Sequence, residues 1–491
     1  MKKGPAPAKG YDALIYPVIR QTHLEKLVDA SIAQYASQEK YEGNFGEWLL
    51  IPLLDVTPTK KIAFLGLGDK RQIDEDVYRR FGGQLAKRVR DARLQHVAVT
   101  LDASCVVHLS AREVMRAIAE GFFLGSYVFH AYHSEQAEKH QKHQVKEMHF
   151  YVENASMFAA MQRGLDDAAP MVAGVHLTRD LVNTPSKDMG PLDMARIAED
   201  IGKLSKRIKV KQLDRERMEK LQMHAALSVA QGSAAEPCGV HMVYTPEGAA
   251  KRRIAIVGKA VTFDSGGLSI KPADGMMTMK MDMAGGAAVL GVFRALAHLE
   301  IHAEVHGIFL AVENMPSGHA YRPGDVVKAM DGTTIEILNT DAEGRVTLAD
   351  ALLYAKQQEP DIIIDLATLT GACVVALGEE IAGAMGTDRK LIEKLSSIGS
   401  YTGEMIWELP LHPSYEEHVK SKIAQLKNIG ARGQAGAIAG GWFLRRFVGQ
   451  TPWVHLDIAG PAYAEREARP DTPAGGTGFG VRMLVRYLQS F

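Results

Sequence analysis

With 491 residues, 46% of them hydrophobic and 23% charged, the chain has the make-up of an ordinary globular protein, long enough for two or three domains and a large core. Lys and Arg number 57 against 58 Asp and Glu, a formal net charge of -1, so no global field draws it to nucleic acid or to an anionic membrane. Cys105, Cys238 and Cys373 lie far apart without C-x-x-C spacing, which argues against a disulfide framework or a thiolate zinc site and for a reducing cytoplasm.

In chain order, MKKGPAPAKGYDALIYPVIR has no continuous apolar run of the kind a signal peptide needs, and no run anywhere reaches membrane-spanning length. KKIAFLGLG then reads as a strand, VYRRFGGQLAKRVRDA as a helix, HVAVTLD as a strand, REVMRAIAEGFFLGSYVF as a helix and KEMHFYVEN as a strand. This βαβα order predicts a mainly parallel sheet covered by helices. MFAAMQRGLDDAAPMVAGVHLTRDLVNTP reads as one long helix that stops at Asn183, Thr184 and Pro185. The domain boundary is placed there, giving domains 1–165 and 166–491.

The second part repeats the alternation with stronger strands: RRIAIVG, the helix AAVLGVFRALAHLE, EVHGIFLAV, TTIEIL, the helix VTLADALLYAKQQ, DIIIDLATL and WVHLDIAG. Several of these strands lack polar alternation, as expected where helices cover both faces. In such sheets ligands collect at the carboxyl ends of the strands. The unusual residues fall at those ends.

After RRIAIVG comes a glycine-rich segment carrying Lys259, Asp264, Lys271 and Asp282. After IEIL, the stretch NTDAEGR sets Asp341, Glu343 and Arg345 at every second position. Read as an extended segment, that spacing turns all three to one pocket and Ala342 and Gly344 away from it. Asp264, Asp282, Asp341 and Glu343 in one cleft repel each other and must take up protons unless cations neutralise them. Two divalent ions bring four positive charges against the four negative ones, a balance one ion cannot reach. With no histidine or cysteine in either segment, the donor set is rich in oxygen and suits Mn or Mg as well as Zn. Surface salt bridges are the competing reading, but they need neither flanking apolar strands nor Gly266, Gly267, Gly285, Gly286 and Gly344.

NTDAEGR at 339–345 resembles the signature of the leucyl aminopeptidase (cytosol aminopeptidase) family of dinuclear metallopeptidases. The likeness runs on through GKAVTFDSGGLSIKP, MKMDMAGGAAVLG, AVENMPSGHAYRPGDVV, DLATLTGACVVALG, SKIAQLKNIG and GTGFGVR. It covers most of the chain from LTRDLVNTP at 177–185 onward and is only architectural before that. Gln425, where an acidic residue is expected, and His319, where Asn is common, depart from the pattern.

The resemblance implies an α/β protein of two domains, an N-terminal macro-like α/β domain and a C-terminal catalytic α/β domain with a central mixed sheet flanked by helices. It implies metal ligands at Lys259, Asp264, Asp282, Asp341 and Glu343, with Asp264 and Glu343 bridging two divalent ions, Mn2+ or Zn2+ with Mg2+ as an option in one site. Lys259 would ligate as a neutral amine. Lys271 and Arg345 match the two catalytic basic residues, Lys271 for the oxyanion and Arg345 for a bicarbonate ion acting as general base. Met279, Asn339, Thr368, Leu369, Gly371 and Ala459 match substrate-binding positions, a lining suited to leucine and similar apolar side chains. The implied reaction releases N-terminal residues from peptides by metal-activated water, in a cytoplasmic homohexamer. An additional DNA-binding or regulatory role, known in some relatives, is the alternative, and the balanced charge lends it no support.

Overall fold

The computed structural model describes residues 1–6, 10–53 and 60–491, and no side chains at 136, 137 and 139–141. Residues 7–9 of the N-terminal MKKGPAPAKG stretch lie outside this description. The chain divides into two compact units, Met1–Val172 with Glu467–Pro473, and Ala173–Arg466 with Ala474–Phe491.

The first unit holds strands β1 (Lys2–Lys3), β2 (Ala13–Ile19), β3 (Trp48–Pro52), β4 (Lys61–Gly68), β5 (His96–Thr100) and β6 (Glu147–Val152), in the order β1-β6-β5-β2-β4-β3. All neighbours are parallel except β3, which runs antiparallel to β4. Strands β2 and β3 were not foreseen from sequence, and β2 takes a central place in the sheet. Helices α1 (Glu75–Asp91) and α2 (Ala111–Gly125) begin at side-chain caps, Asp74 on the Val77 N–H and Ser110 on that of Glu113. The long helix α3 (Ala155–Asn183) stops two residues before Pro185 and carries Pro170 in its interior.

The central sheet of the second unit is mixed. Its strands are β7 (Ile208–Leu213), β8 (Cys238–Tyr244), β9 (Arg253–Asp264), β10 (Glu304–Asn314), β13 (Ile362–Ala367), β14 (Ala382–Gly386), β15 (Ile406–Glu408) and β17 (Trp453–Asp457), in the order β15-β14-β17-β13-β9-β10-β8-β7. The core of this sheet, β17-β13-β9-β10, is parallel throughout. TTIEIL does not join it: its strand, β12 (Thr334–Glu336), lies in a small sheet between β11 (Val326–Lys328) and β16 (Leu426–Lys427).

Helix α4 (Ala284–Leu296) is buried at every position but Arg294, as its apolar sequence requires. It packs backbone to backbone on β9, because a Cβ at Gly258 would lie 2.4 Å from the Gly285 carbonyl group. Helix α5 (Glu343–Lys356) covers the sheet through Val346, Ala349, Leu352 and Leu353. No helix among the described residues is long and apolar enough to cross a membrane.

Candidate metal centre

Parallel strands β9 and β10 end side by side, with Asp264 in register with Asn314. Lys259 lies earlier on β9, Thr368 follows β13 directly, and Asp282 stands just before α4. Lys259, Asp264, Asp282 and Glu343 are each at most 3% exposed. Charged groups that deep require partners.

The partners are one another. Lys259 Nζ donates to Asp282 Oδ1 at 2.7 Å and to the Thr368 carbonyl at 2.9 Å, and lies 2.7 Å from Glu343 Oε1. Lys271 Nζ lies 2.8 Å from Asp264 Oδ2 and 2.5 Å from Asp341 Oδ1. Oxygens of Asp264, Asp341 and Glu343 fall within 4.8 Å of one another, and the Thr368 hydroxyl donates to Asp282 Oδ1 at 2.7 Å.

Two ammonium groups do not balance four carboxylates. Burial and the nearby Glu343 charge push Asp264 up to about 6, and burial also raises Asp282 and Asp341. Burial works to raise Glu343 too, but Lys259 beside it holds it below the usual range. Burial opposes the charge on Lys259, yet Asp282, Glu343 and Asp264 hold its ammonium and raise its pKa. For Lys259 to offer a lone pair, added cationic charge must displace that proton.

The residues fit divalent cation binding. Asp282 Oδ2 and Asp341 Oδ1 are buried near a lysine but outside hydrogen-bond geometry, and Asn314 Oδ1 also has no partner. A buried acceptor without a well-aligned donor is costly, and the oxygens of Asp264, Asp341 and Glu343 that lie together form a hard-cation donor set.

The extended reading of Asp341, Glu343 and Arg345 is corrected. Asn339 Oδ1 accepts the Asp341 N–H at 2.9 Å, so the chain turns there and α5 begins at Glu343. Asp341 sits on the turn, Glu343 at the first helical position, where the helix dipole favours a carboxylate, and Arg345 in the first helical turn. Gly344 does not simply face away: a Cβ there would lie 2.4 Å from Lys259 Cε.

Arg345 is buried, its Nε has no hydrogen-bond partner, and burial lowers its pKa. With Asn339, Asp341, Leu369 and Gly371 it lines a cavity of about 400 Å3. Met279, which opens the turn before Asp282, and Ala459, whose N–H donates to Asp457 at 3.2 Å, do not line that cavity.

Three positioning residues escaped the sequence reading. Asn314 Nδ2 donates to Asp264 Oδ1 at 2.8 Å and to the Thr340 carbonyl at 3.0 Å, tying two acid-bearing loops together. Asn428, just after β16, clasps the Asn339 N–H and carbonyl. Asp457 accepts from Leu369 N at 3.2 Å, Thr370 N at 3.4 Å and Thr370 Oγ1 at 2.6 Å. Their signals were weak: Asn428 lies inside the quoted SKIAQLKNIG, and Asp457 closes an apolar strand.

The model of the cytosol aminopeptidase family catalytic domain matches residues 176–485, and that of the family's N-terminal domain matches 19–136. This chain belongs to the cytosol aminopeptidase family. A probable cytosol aminopeptidase of Persephonella marina is 42% identical over 466 residues, covering 95% of this chain and 92% of that protein. Its counterpart in Aquifex aeolicus is 41% identical over 484 residues, covering 97% and 94%. Among solved structures, the bottromycin maturation enzyme BotP in complex with Mn matches at a TM-score of 0.87 and 31% identity, over 98% of this chain and 99% of that one. A mutant of tomato leucine aminopeptidase matches at 0.86 and 33%, over 100% and 96%. As a cytosol aminopeptidase, the protein is a metal-dependent hydrolase, and its two-domain α/β architecture is that of the leucine aminopeptidase structures.

Proposed function

We propose that this cytosol aminopeptidase releases leucine and similar apolar residues from the free N-terminus of peptides at a two-metal centre held by Lys259, Asp264, Asp282, Asp341 and Glu343. The observation that carries the reading is the excess of carboxylate over ammonium charge in this cluster. The chemistry that bound Mn2+ or Zn2+, with Mg2+ as an option in one site, supplies is activation of a water and polarisation of the scissile carbonyl.

The protein's own groups do the rest. Lys271, held between Asp264 and Asp341, places a cation where an oxyanion develops. Arg345, buried with Nε unpaired on the cavity wall, holds a planar anion, for which bicarbonate is the fitting general base. Asp282 and the carbonyl near Leu369 accept from a free α-amine, which confines cleavage to the first residue. Met279, Thr368, Gly371 and Ala459 line the pocket of the first side chain, and Asn339 borders the peptide. The catalytic domain spans 166–491, and a cytoplasmic homohexamer with enclosed sites would favour short peptides.

The test supplies the purified protein with Mn2+ or Zn2+, measures metal per chain, and follows leucine release from leucinamide, beside Glu343→Ala. Two ions per chain and release that Glu343→Ala abolishes are expected. Failure to release leucine with either ion overturns the reading.

A further inference from the structure

The cavity beside the candidate metal centre has a second basic wall. Besides Arg345, Asp341 and Gly371, its lining includes Ile429–Arg432 and Gly436, the first residue of helix α6 (Gly436–Arg445). Arg432 is exposed and has neither an ion pair nor a side-chain hydrogen bond among the described residues. Helix α6 starts with no side-chain cap, from Ala435 at φ +47°. Its first N–H groups therefore add positive potential to the same space. Arg345 brings a buried guanidinium with an unpaired Nε. The one acid in the lining is Asp341, which belongs to the carboxylate cluster.

On the aminopeptidase reading, a peptide whose amine sits among the cluster's oxygens has this cavity, with Asp341 on its wall, open to its second residue. In a dipeptide the α-carboxylate then lies only one Cα–Cα step, about 3.8 Å, beyond the first residue's backbone. Arg345 is committed to the small anion of the reaction, which leaves Arg432 and the open start of α6 for a second anion. We propose that Arg432 receives the C-terminal carboxylate of the substrate, so that dipeptides with a free carboxylate are favoured over amidated or longer peptides. The inference rests on the aminopeptidase reading above and adds its substrate class. The guanidinium suits the task because its planar fork matches a carboxylate through two parallel N–H donors.

The test compares leucyl-glycine with leucyl-glycinamide in the metal-loaded protein, in Arg432→Gln and in Arg432→Lys. The readout is the ratio of kcat/KM for acid over amide. An exposed ion pair of this kind gives a ratio of about fivefold in the natural protein. Arg432→Gln brings it close to unity and Arg432→Lys restores part of it. Equal ratios in the natural protein and Arg432→Gln overturn the proposal, as does a natural protein indifferent to the carboxylate. Calorimetry with an uncleavable leucyl-glycine isostere, in acid and amide forms, supplies a readout independent of turnover. Tighter binding of the acid, lost in Arg432→Gln, by a protein that hydrolyses neither peptide sustains the carboxylate site while sinking the aminopeptidase reading.

Discussion

Asn428 bonds both backbone groups of Asn339, its Oδ1 accepting the N–H at 3.3 Å and its Nδ2 donating to the carbonyl at 2.6 Å. Asn339 in turn fixes the Asp341 N–H. The place of one acid in the cluster is thus set by an amide 89 residues beyond Asn339. Asn428→Ala removes the partner of the half-buried Asn339 N–H and leaves its carbonyl with the Ala342 N–H alone, at a cost of about 1 kcal/mol. Metal titration is expected to show affinity weakened by about 10–100-fold, the usual effect of losing a group that orients a ligand. Unchanged affinity would mean that the turn holds without Asn428.

Gly344→Ala sets two effects against each other. Alanine in place of glycine in a helix is worth about 1 kcal/mol of stability. Its Cβ, however, would lie 2.4 Å from Lys259 Cε and 2.6 Å from Nζ. Lys259 is held by Asp282, Glu343 and Thr368 and has no room to retreat. Steric overlap wins, so the variant is expected to melt lower than the natural protein and to bind less metal. A raised melting temperature with full metal content would refute the packing argument.

Removing divalent ions leaves the acids with lysines alone. Chelation is expected to lower the melting temperature, and Mn2+ to restore it. At a hundredfold excess over its dissociation constant a ligand stabilises by about 2.7 kcal/mol. Asp282→Asn, tested by differential scanning calorimetry with and without Mn2+, is expected to shrink this increment. An increment equal to that of the natural protein would remove Asp282 from the site.

A buried relay outside the site predicts a pH dependence of stability. The rings of His241 and His306 stack, with His241 Nε2 2.9 Å from His306 Nδ1. Tyr354 Oη lies 3.2 Å from His241 Nδ1, and His306 Nε2 lies 3.0 Å from Glu304. With both rings neutral, each N–H and O–H finds an acceptor along the line from Tyr354 to Glu304. Burial, then the neighbouring His306, lower His241 from 6.5 to about 4. Between those values the unfolded chain binds the proton and the folded one does not, so stability is full above the upper value and falls with pH towards the lower. Lowering the pH from about 7 to about 5 is expected to remove about 2 kcal/mol through this group. Urea denaturation at both values should show a smaller loss in His241→Gln, and an identical loss would discard the account.

What the sequence disclosed follows from the reach of each signal. The acids and lysines of the cluster were legible jointly, because so many charges beside apolar strands and glycine-rich turns are unusual where any one alone fits a surface salt bridge, and the structure does bring them together. The local geometry of NTDAEGR was not: a spacing of two fits a strand, and only the Asn339 side chain, bonded to Asp341, decides for a turn. Strands β7 and β8 were missed because IKVKQL is short and rich in lysine and CGVHMVY carries histidine and glycine. Asn314, Asn428 and Asp457 act on backbone groups tens of residues away in sequence, and no local pattern announces such a partner.

The bonds that converge on Asp457 fix the stretch from Leu369 to Thr370 before any peptide arrives. A frame already ordered has no conformational entropy left to lose on binding, so none of a substrate's affinity goes into assembling it. Differences between substrates should therefore register mainly as differences in fit to a stationary surface. Loop closure has little part to play on that side of the cavity.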